Sequence, residues 1–220
     1  MPTTDTKERP IIFCSEMVRV IISGHKQMTR RVVRFPTWFD DDGFPEQHDG
    51  YQDCRPVEPK DILNYCTNPY GQPGDKLWIR ETHQFEWPSH YYKEEEHGPF
   101  ENWTTPIYKA DGVDLDGWGN PETDEPLKWK PSIFMPRWAS RITLEVTDVR
   151  VERLQDISET DAKAEGCEPS NSVELKDGSP CYTDTFQKLW KSIHGVDDSK
   201  SWESDPFVWI IEFRRICDAS

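Results

Sequence analysis

The segment from Gly24 to Arg31, GHKQMTRR, places several chemically capable side chains close together. Lys26 supplies an amine and Thr29 a hydroxyl. Arg30 and Arg31 add two guanidinium groups. A lysine can act as a point charge or as a base, a threonine hydroxyl can donate a proton or attack, and an arginine is a planar fork for anions and carbonyls. These residue types at this spacing fit a site for an anion or a carbonyl group.

The same residues also fit an exposed strand that follows a helix. In that interpretation Lys26 only compensates the negative end of the helix dipole. Runs of charge usually face solvent, so spacing alone favours the exposed strand. On a strand, Thr29 and Arg31 share one face, whereas Arg30 points to the other.

A second candidate is Glu165, in the segment DAKAEG. The pattern predicts a short helix that Ser158 caps and Gly166 ends. The negative pole of that helix disfavours a carboxylate, so Glu165 in a cleft could hold a proton and act as an acid. A glutamate at a helix end is more often simply exposed.

The sequence predicts no cofactor and no metal. Serine-hydrolase, phosphate-loop and dinucleotide signatures are absent, and the six cysteines include no close pair, which favours reduced thiols. Cys54, Cys66 and nearby histidines lack the spacing of dependable zinc motifs, although a structural zinc there stays open.

Charge is distributed unevenly along the 220 residues, which carry a net charge of −15. Residues 1–35 hold seven Lys/Arg against three Asp/Glu, a net of +4 that leaves −19 for the rest. An acidic body repels long duplex nucleic acid but can contain a small basic pocket. No apolar run matches a membrane span and no signal peptide is evident, so we expect a cytoplasmic protein with no membrane partner.

Hydrophobic periodicity predicts the elements that position these residues. After a loose segment 1–8, we expect one domain over 9–216 with long irregular insertions at about 35–71 and 84–131, the second containing a hairpin near residue 110. Trp78, Trp138 and Trp209 are expected in the core. The predicted strands are 10–13, 27–33, one around Leu77 and Ile79, 141–154 and 207–216. One predicted helix follows Ser15 and ends at Gly24, and a second follows Ser158. A third places Phe186, Leu189, Trp190 and Ile193 on one face.

Four segments together resemble ASCH-domain proteins, above all the phage and prophage group. They are GHKxxTRR, PYGQPGDKLWIRE, MPRWASRITLEVTDVRVERLQDIS and WIIEFRRI, and the resemblance runs from about Arg9 to Ile216. It implies an α+β, PUA-like fold: a small curled β-barrel with short flanking helices. Such folds are often associated with recognition of RNA or modified bases.

One branch of that superfamily contains small amidohydrolases that remove the acetyl group from N4-acetylcytidine. Lys26, Thr29 and Glu165 fall on the positions that the branch uses as base, nucleophile and acid. Arg31 also matches, and with Arg30 and Gly24 it completes the predicted ligand contacts. The resemblance therefore implies a small basic pocket that binds a modified nucleoside, nucleotide or base and hydrolyses an amide on it. This chain is about twice as long as those enzymes, so we expect a different substrate.

Two other hypotheses remain open. The protein could read RNA or a modified base without turnover, with single-stranded RNA as its partner. It could also be an acidic phage interaction protein that acts on a host partner in the bacterial cytoplasm.

Overall fold

The computed structural model describes residues 6–35, 66–85, 105–116, 125–195 and 199–216. These ranges form seven strands and three α-helices, joined in places by short 3-10 turns. In chain order they are β1 (Glu8–Ile12), α1 (Ser15–Ile22), β2 (Met28–Val32), β3 (Lys76–Arg80), β4 (His83–Phe85), β5 (Pro106–Tyr108), β6 (Thr143–Arg153), α2 (Glu159–Ala164), α3 (Thr183–His194) and β7 (Phe207–Ile216).

Five of the strands form one mixed sheet in the order β1-β3-β6-β7-β2. β1 and β3 run parallel, and the other neighbours run antiparallel. β4 and β5 pair separately as a two-stranded antiparallel ribbon. The predicted α+β class is confirmed.

The sheet is curled, but backbone pairing does not close it into a barrel within the described ranges. β1 and β2 are its two edges, and no ladder joins them there. The Arg31 guanidinium on β2 nevertheless donates to the carbonyl of Ile12 at the end of β1, at 2.5 Å. Opposite edges can approach in this way only if the sheet bends strongly. The register of β6 with β7 shifts between Val146 and Asp148, and an irregularity of this kind bends a strand locally.

β7 divides the core, because its alternating side chains serve two apolar clusters. Ile211 belongs to a cluster that also contains Phe13. Ile210 belongs to a second cluster with Phe186 and Trp190 of α3. Six of the ten β7 residues are therefore buried. Both faces of the sheet are covered where β7 runs.

β2 follows the same alternation. Thr29 lies opposite Ile211, and Arg31 lies opposite the buried Trp209 of the same cluster. Arg30 lies opposite Ile210 and so faces the second cluster. The prediction that Thr29 and Arg31 share one face is confirmed.

The predicted helix boundaries agree with the structure to within a residue or two. α1 begins at Ser15 itself, with Cys14 as the N-cap, and the chain leaves the helix through Gly24 at φ +82°. Ser158 caps α2 by accepting from the backbone N–H of Asp161. The predicted face of α3 is only partly used, since Ile193 at its far end is exposed.

Much of the two predicted insertions lies outside the described residues, as do residues 1–5. The described part of the second insertion is regular in places, since β5 pairs with β4 where a local hairpin was expected. Glu8, assigned to the loose segment, already belongs to β1. Among the ranges described, no helix has the length and apolar character needed to cross a membrane.

The expected burial of three tryptophans is confirmed for two of them. Trp78 and Trp209 are buried. The prediction for Trp138 is wrong, because this side chain is 64% exposed. The reason is local: Trp138 sits in a 3-10 turn at residues 137–139, before β6 begins, and this turn buries the neighbouring Ala139 instead.

We expect two tryptophan substitutions to have very different effects on stability. Trp209→Ala opens a cavity in the core and should lower the free energy of unfolding by about 3–5 kcal/mol. Trp138→Ala removes one exposed ring contact and should lower it by about 1 kcal/mol. Urea denaturation followed by circular dichroism measures both. Equal losses would contradict the assigned burial.

Candidate functional site

The link between α1 and β2 is held against the end of α2, which determines the position of Lys26. The backbone N–H groups of His25 and Lys26 both donate to the Val20 carbonyl of α1 at 3.1 Å. The N–H of Gln27 then donates to the carbonyl of Ala164, the last residue of α2, at 2.8 Å. Lys26 is therefore brought beside the residue that follows Ala164.

That residue is Glu165, the C-cap of α2. Its N–H donates to the Asp161 carbonyl at 2.8 Å, and Gly166 follows at φ +85°. A left-handed glycine lets the chain turn away directly after the helix. Glu165 thus occupies the predicted place at the helix end, but it is buried where the sequence favoured exposure.

Lys26 and Glu165 form a buried ion pair across 139 residues of sequence. The Lys26 ammonium donates to Oε2 of Glu165 at 2.6 Å and to the Glu165 backbone carbonyl at 2.8 Å. Only 2% and 5% of the two side chains are exposed. The Lys26 nitrogen also lies 6.0 Å from the centre of the Phe13 ring. The structure therefore brings two of the three predicted catalytic residues into direct contact.

Arg30 approaches the same carboxylate from the other face of β2. Its guanidinium has no exposed surface; one nitrogen lies 3.4 Å from Oε1 of Glu165, and another lies 2.8 Å from Asp161. Asp161 is one helical turn before Glu165, so both carboxylates line the same side of α2. Arg30 therefore positions Glu165, and its predicted contact with a ligand stays a prediction.

Asp161 and Arg150 are members of this network that sequence reasoning missed. Arg150 on β6 lies 3.6 Å from Asp161 and 2.7 Å from Glu152, and it also pairs with Glu212 on β7. The available signals were the four-residue spacing of Asp161 and Glu165 and the alternating charges of β6. Neither signal reveals which partner a side chain will meet.

Thr29 is 3% exposed and lies on the sheet face that carries Phe13 and Arg31. Within the described part of the chain, its hydroxyl makes no hydrogen bond. The hydroxyl is therefore not committed to a partner there. Its meeting with the Lys26–Glu165 pair stays a prediction.

Arg31 differs from Arg30 in the partners that it has. It donates to the Ile12 carbonyl and lies 5.1 Å from the centre of the Phe13 ring, and no carboxylate of the described ranges pairs with it. A guanidinium without a carboxylate keeps donors for a ligand. Gly24, the other predicted ligand contact, has open space around its α-carbon and acts in the structure as the left-handed residue after α1.

The pKa of the Cys167 thiol reflects its buried position close to Glu165. Burial, with the negative charge of Glu165 as a further cause, raises the pKa of this thiol to about 11. The thiol is therefore protonated at neutral pH. Because the thiolate is the reactive form, Cys167 is not a competing nucleophile at this site.

The described ranges contain no cluster of His, Cys, Asp and Glu that could hold a metal ion. Cys66 is buried and is not in a disulfide, whereas Cys54 lies outside those ranges. His83, the first residue of β4, is fully buried. The zinc question raised by Cys54 and Cys66 therefore stays open.

Comparison with known proteins adds one weak structural likeness. No protein-family model and no curated protein sequence matches the chain. Among solved structures, it is similar to protein EF3133 from Enterococcus faecalis V583, which carries the family label DUF984. The similarity covers 98% of this chain and 83% of that chain, with 11% identity and a TM-score of 0.37. Values this low say nothing about the activity of this chain.

Two glycines that end helices should respond differently to alanine. A β-carbon at Gly24 meets no atom within 4 Å, whereas one at Gly166 would lie 2.5 Å from Val20 and 3.1 Å from the β-carbon of Lys26. Both are left-handed, so each alanine should cost about 1–2 kcal/mol. Gly166→Ala should cost about 1–3 kcal/mol more, because it overpacks the site. Thermal and urea unfolding of the pair measure the difference. Similar losses would mean that Gly166 is not packed against Lys26.

The two members of the ion pair should also differ in their effect on stability. Glu165→Gln leaves both Lys26 and Arg30 without this carboxylate and should cost about 3–5 kcal/mol. Lys26→Met should cost less, since Glu165 keeps Arg30 at 3.4 Å. A double-mutant cycle in urea measures both values and their coupling. A larger loss for Lys26→Met would contradict this arrangement.

Proposed function

We propose that the chain is an ASCH-type protein of PUA-like fold that binds a modified nucleoside, nucleotide or base beside Lys26 and Glu165 and hydrolyses an amide bond on it. The observation that carries the proposal is the buried contact between the Lys26 amine and the Glu165 carboxylate, 2.6 Å apart. It unites two residues that the resemblance assigns as base and acid.

A structural explanation of this pair is the weaker one. Taking two charges out of water costs several kcal/mol per ion, and their attraction often fails to repay that cost. Apolar residues of similar size often stabilise a core at least as well. A buried lysine and glutamate in direct contact are more readily understood as working groups.

The short hydrogen bond offers a route to the reactive protonation state. Moving one proton from Nζ of Lys26 to Oε2 of Glu165 converts the ion pair into a neutral amine and a carboxylic acid, with no change in net charge. The amine can then accept the proton of the Thr29 hydroxyl while its oxygen attacks the carbonyl carbon of the substrate amide. A C–O bond forms, and the carbonyl electron pair moves to oxygen.

Collapse of that tetrahedral intermediate completes the first half of the reaction. The C–N bond breaks as the Glu165 carboxylic acid protonates the departing nitrogen. This step leaves an acyl ester on Thr29, an ammonium on Lys26 and a carboxylate on Glu165, which is the original ion pair. Water then hydrolyses the ester, so the acyl group leaves as a carboxylic acid and the Thr29 hydroxyl is restored.

Arg31 and the basic N-terminal segment account for ligand binding in this proposal. Arg31 lies on the same face of β2 as Thr29 and has no carboxylate partner in the described ranges. Its guanidinium can hold a carbonyl or phosphate oxygen of the ligand. The net charge of −15 disfavours long polyanions, so a compact ligand fits better than a duplex.

A second candidate is a reader that binds a modified base without turnover. The Lys26 ammonium already has two acceptors on Glu165, a carboxylate oxygen and a carbonyl oxygen. If the ion pair stays charged throughout binding, no free amine is available to activate Thr29. The same site then recognises its ligand and leaves it intact.

Incubation with a panel of N-acylated and N-alkylated nucleosides tests the enzyme proposal. We expect the wild-type protein to release the acyl group from at least one N4-acylcytidine, detected as a mass loss by liquid chromatography and mass spectrometry. Lys26→Ala, Thr29→Val and Glu165→Gln should each lower the rate by at least about 100-fold. Thr29→Ser should keep part of the activity, because it retains the hydroxyl.

Lys163→Ala is the matched control, since this exposed lysine lies on α2 two residues before Glu165. Its rate should equal that of the wild type. Binding of a modified nucleoside without mass loss would favour the reader. Neither binding nor mass loss with any member of the panel would count against both forms of the proposal.

A further inference from the structure

A second surface, outside the Lys26 site, exposes an unusual group of apolar and aromatic side chains. Ile133, Phe134 and Trp138 are 55%, 67% and 64% exposed. The ring of Phe85, at the end of β4, stacks on the ring of Trp138. The Lys130 amine lies beside the Phe85 ring. We call this group, Phe85, Lys130, Ile133, Phe134 and Trp138, the aromatic platform.

The platform begins as a ring stack. The rings of Phe85 and Trp138 have centroids 5.2 Å apart and an interplanar angle of 25°. The Lys130 amine lies 4.9 Å from the centre of the Phe85 ring. Trp138 is largely exposed although it stacks on Phe85. A further flat ring could therefore extend the stack.

The platform is held rigidly rather than carried on a loose loop. The segment that bears it buries Met135 and Ala139. The Tyr108 hydroxyl donates to the Ala139 carbonyl at 2.7 Å, and the backbones of His83 and Lys130 exchange two hydrogen bonds. Phe134 and Trp138 are therefore presented to solvent by a segment whose intervening residues are anchored.

The stretch of sequence that carries the platform contains basic side chains and no acidic ones. Residues 126–144 contain four Lys/Arg and no acidic residue, in a protein of net charge −15. Arg137 is paired with Glu8 and Arg141 with Glu81 and Asp111. The exposed lysines in this stretch, Lys128 and Lys130, have no carboxylate partner within the described ranges. They are the cations that a phosphate could meet.

Five residues of chain connect the platform to β3, whose end contacts Phe13 of the Lys26 site. Phe13, which lies against Lys26 and Arg31, donates its N–H to the Arg80 carbonyl at the end of β3. Phe85 follows Arg80 by five residues, so the two lie at most roughly 17 Å apart along the backbone.

We propose that the aromatic platform binds a single-stranded nucleic acid, with one base stacked on Trp138 and the adjoining phosphate beside Lys130. Every base of a single strand has a π-face that can stack on a flat aromatic ring. Every phosphate linkage carries a negative charge that a lysine without a carboxylate partner can bind. A duplex keeps its bases stacked inside and offers none to Trp138. This binding does not depend on catalysis at Lys26.

Fluorescence anisotropy with 5′-fluorescein-labelled, unmodified ten-nucleotide oligouridine and oligoadenosine tests the proposal. We expect saturable binding at 50 mM salt that weakens as salt is added. Trp138→Ala should raise Kd by roughly 5- to 150-fold, the range for one stacked base. Lys130→Ala should reduce the slope of log K against log salt by about 0.7, the value for one phosphate of a single strand.

Ile193→Ala and Lys176→Ala are the matched controls, because both side chains are exposed and neither belongs to the platform. They should bind as the wild type does. No binding by the wild type, or an unchanged Kd for Trp138→Ala, would overturn the proposal. None of these results depends on turnover of an acylated nucleoside.

Discussion

The requirement that a buried charge must have a partner organises the region around Lys26. The ammonium of Lys26 is almost completely removed from water, so it needs acceptors within the protein. Glu165 supplies two of them, and this is possible only if the end of α2 lies against the link between α1 and β2. The hydrogen bond from Gln27 to Ala164 fixes that contact through the backbone. The buried pair and this backbone hydrogen bond thus join two distant parts of the chain.

The two-sided character of β2 lets one strand serve both the core and the site. Thr29 and Arg31 face the cluster that contains Phe13, whereas Arg30 faces the other side, where α2 and α3 pack. Arg30 reaches Glu165 and Asp161 from that side. The Glu165 carboxylate is therefore held by cations on both of its oxygens. Its orientation depends on the register of β2 with β7.

Electrostatics operates here on two length scales. The net charge of −15 affects long polyanions at a distance, but exposed charges more than about a Debye length apart are largely screened. Within a Debye length, the arrangement of the neighbouring charges determines which ligands are attracted. The buried network around Arg30 pairs its cations with carboxylates, whereas Lys128 and Lys130 lie in a stretch without acidic residues. An acidic protein can therefore carry basic sites, provided that their ligands are compact or single-stranded.

The sequence by itself determined the elements, because local forces govern them. Alternating apolar residues predict β6 and β7, and Ser158, Gly166 and Gly24 mark helix ends through capping and left-handed geometry. The sequence also indicated Lys26 and Glu165, through residue type and family resemblance, but it could not show that they touch. That contact spans 139 residues and depends on the packing of α2 against the link between α1 and β2. Only the tertiary structure decided that Lys26 and Glu165 touch. It also decided that Arg30 is buried and that Trp138 is exposed, because burial depends on what the rest of the chain packs against each side chain.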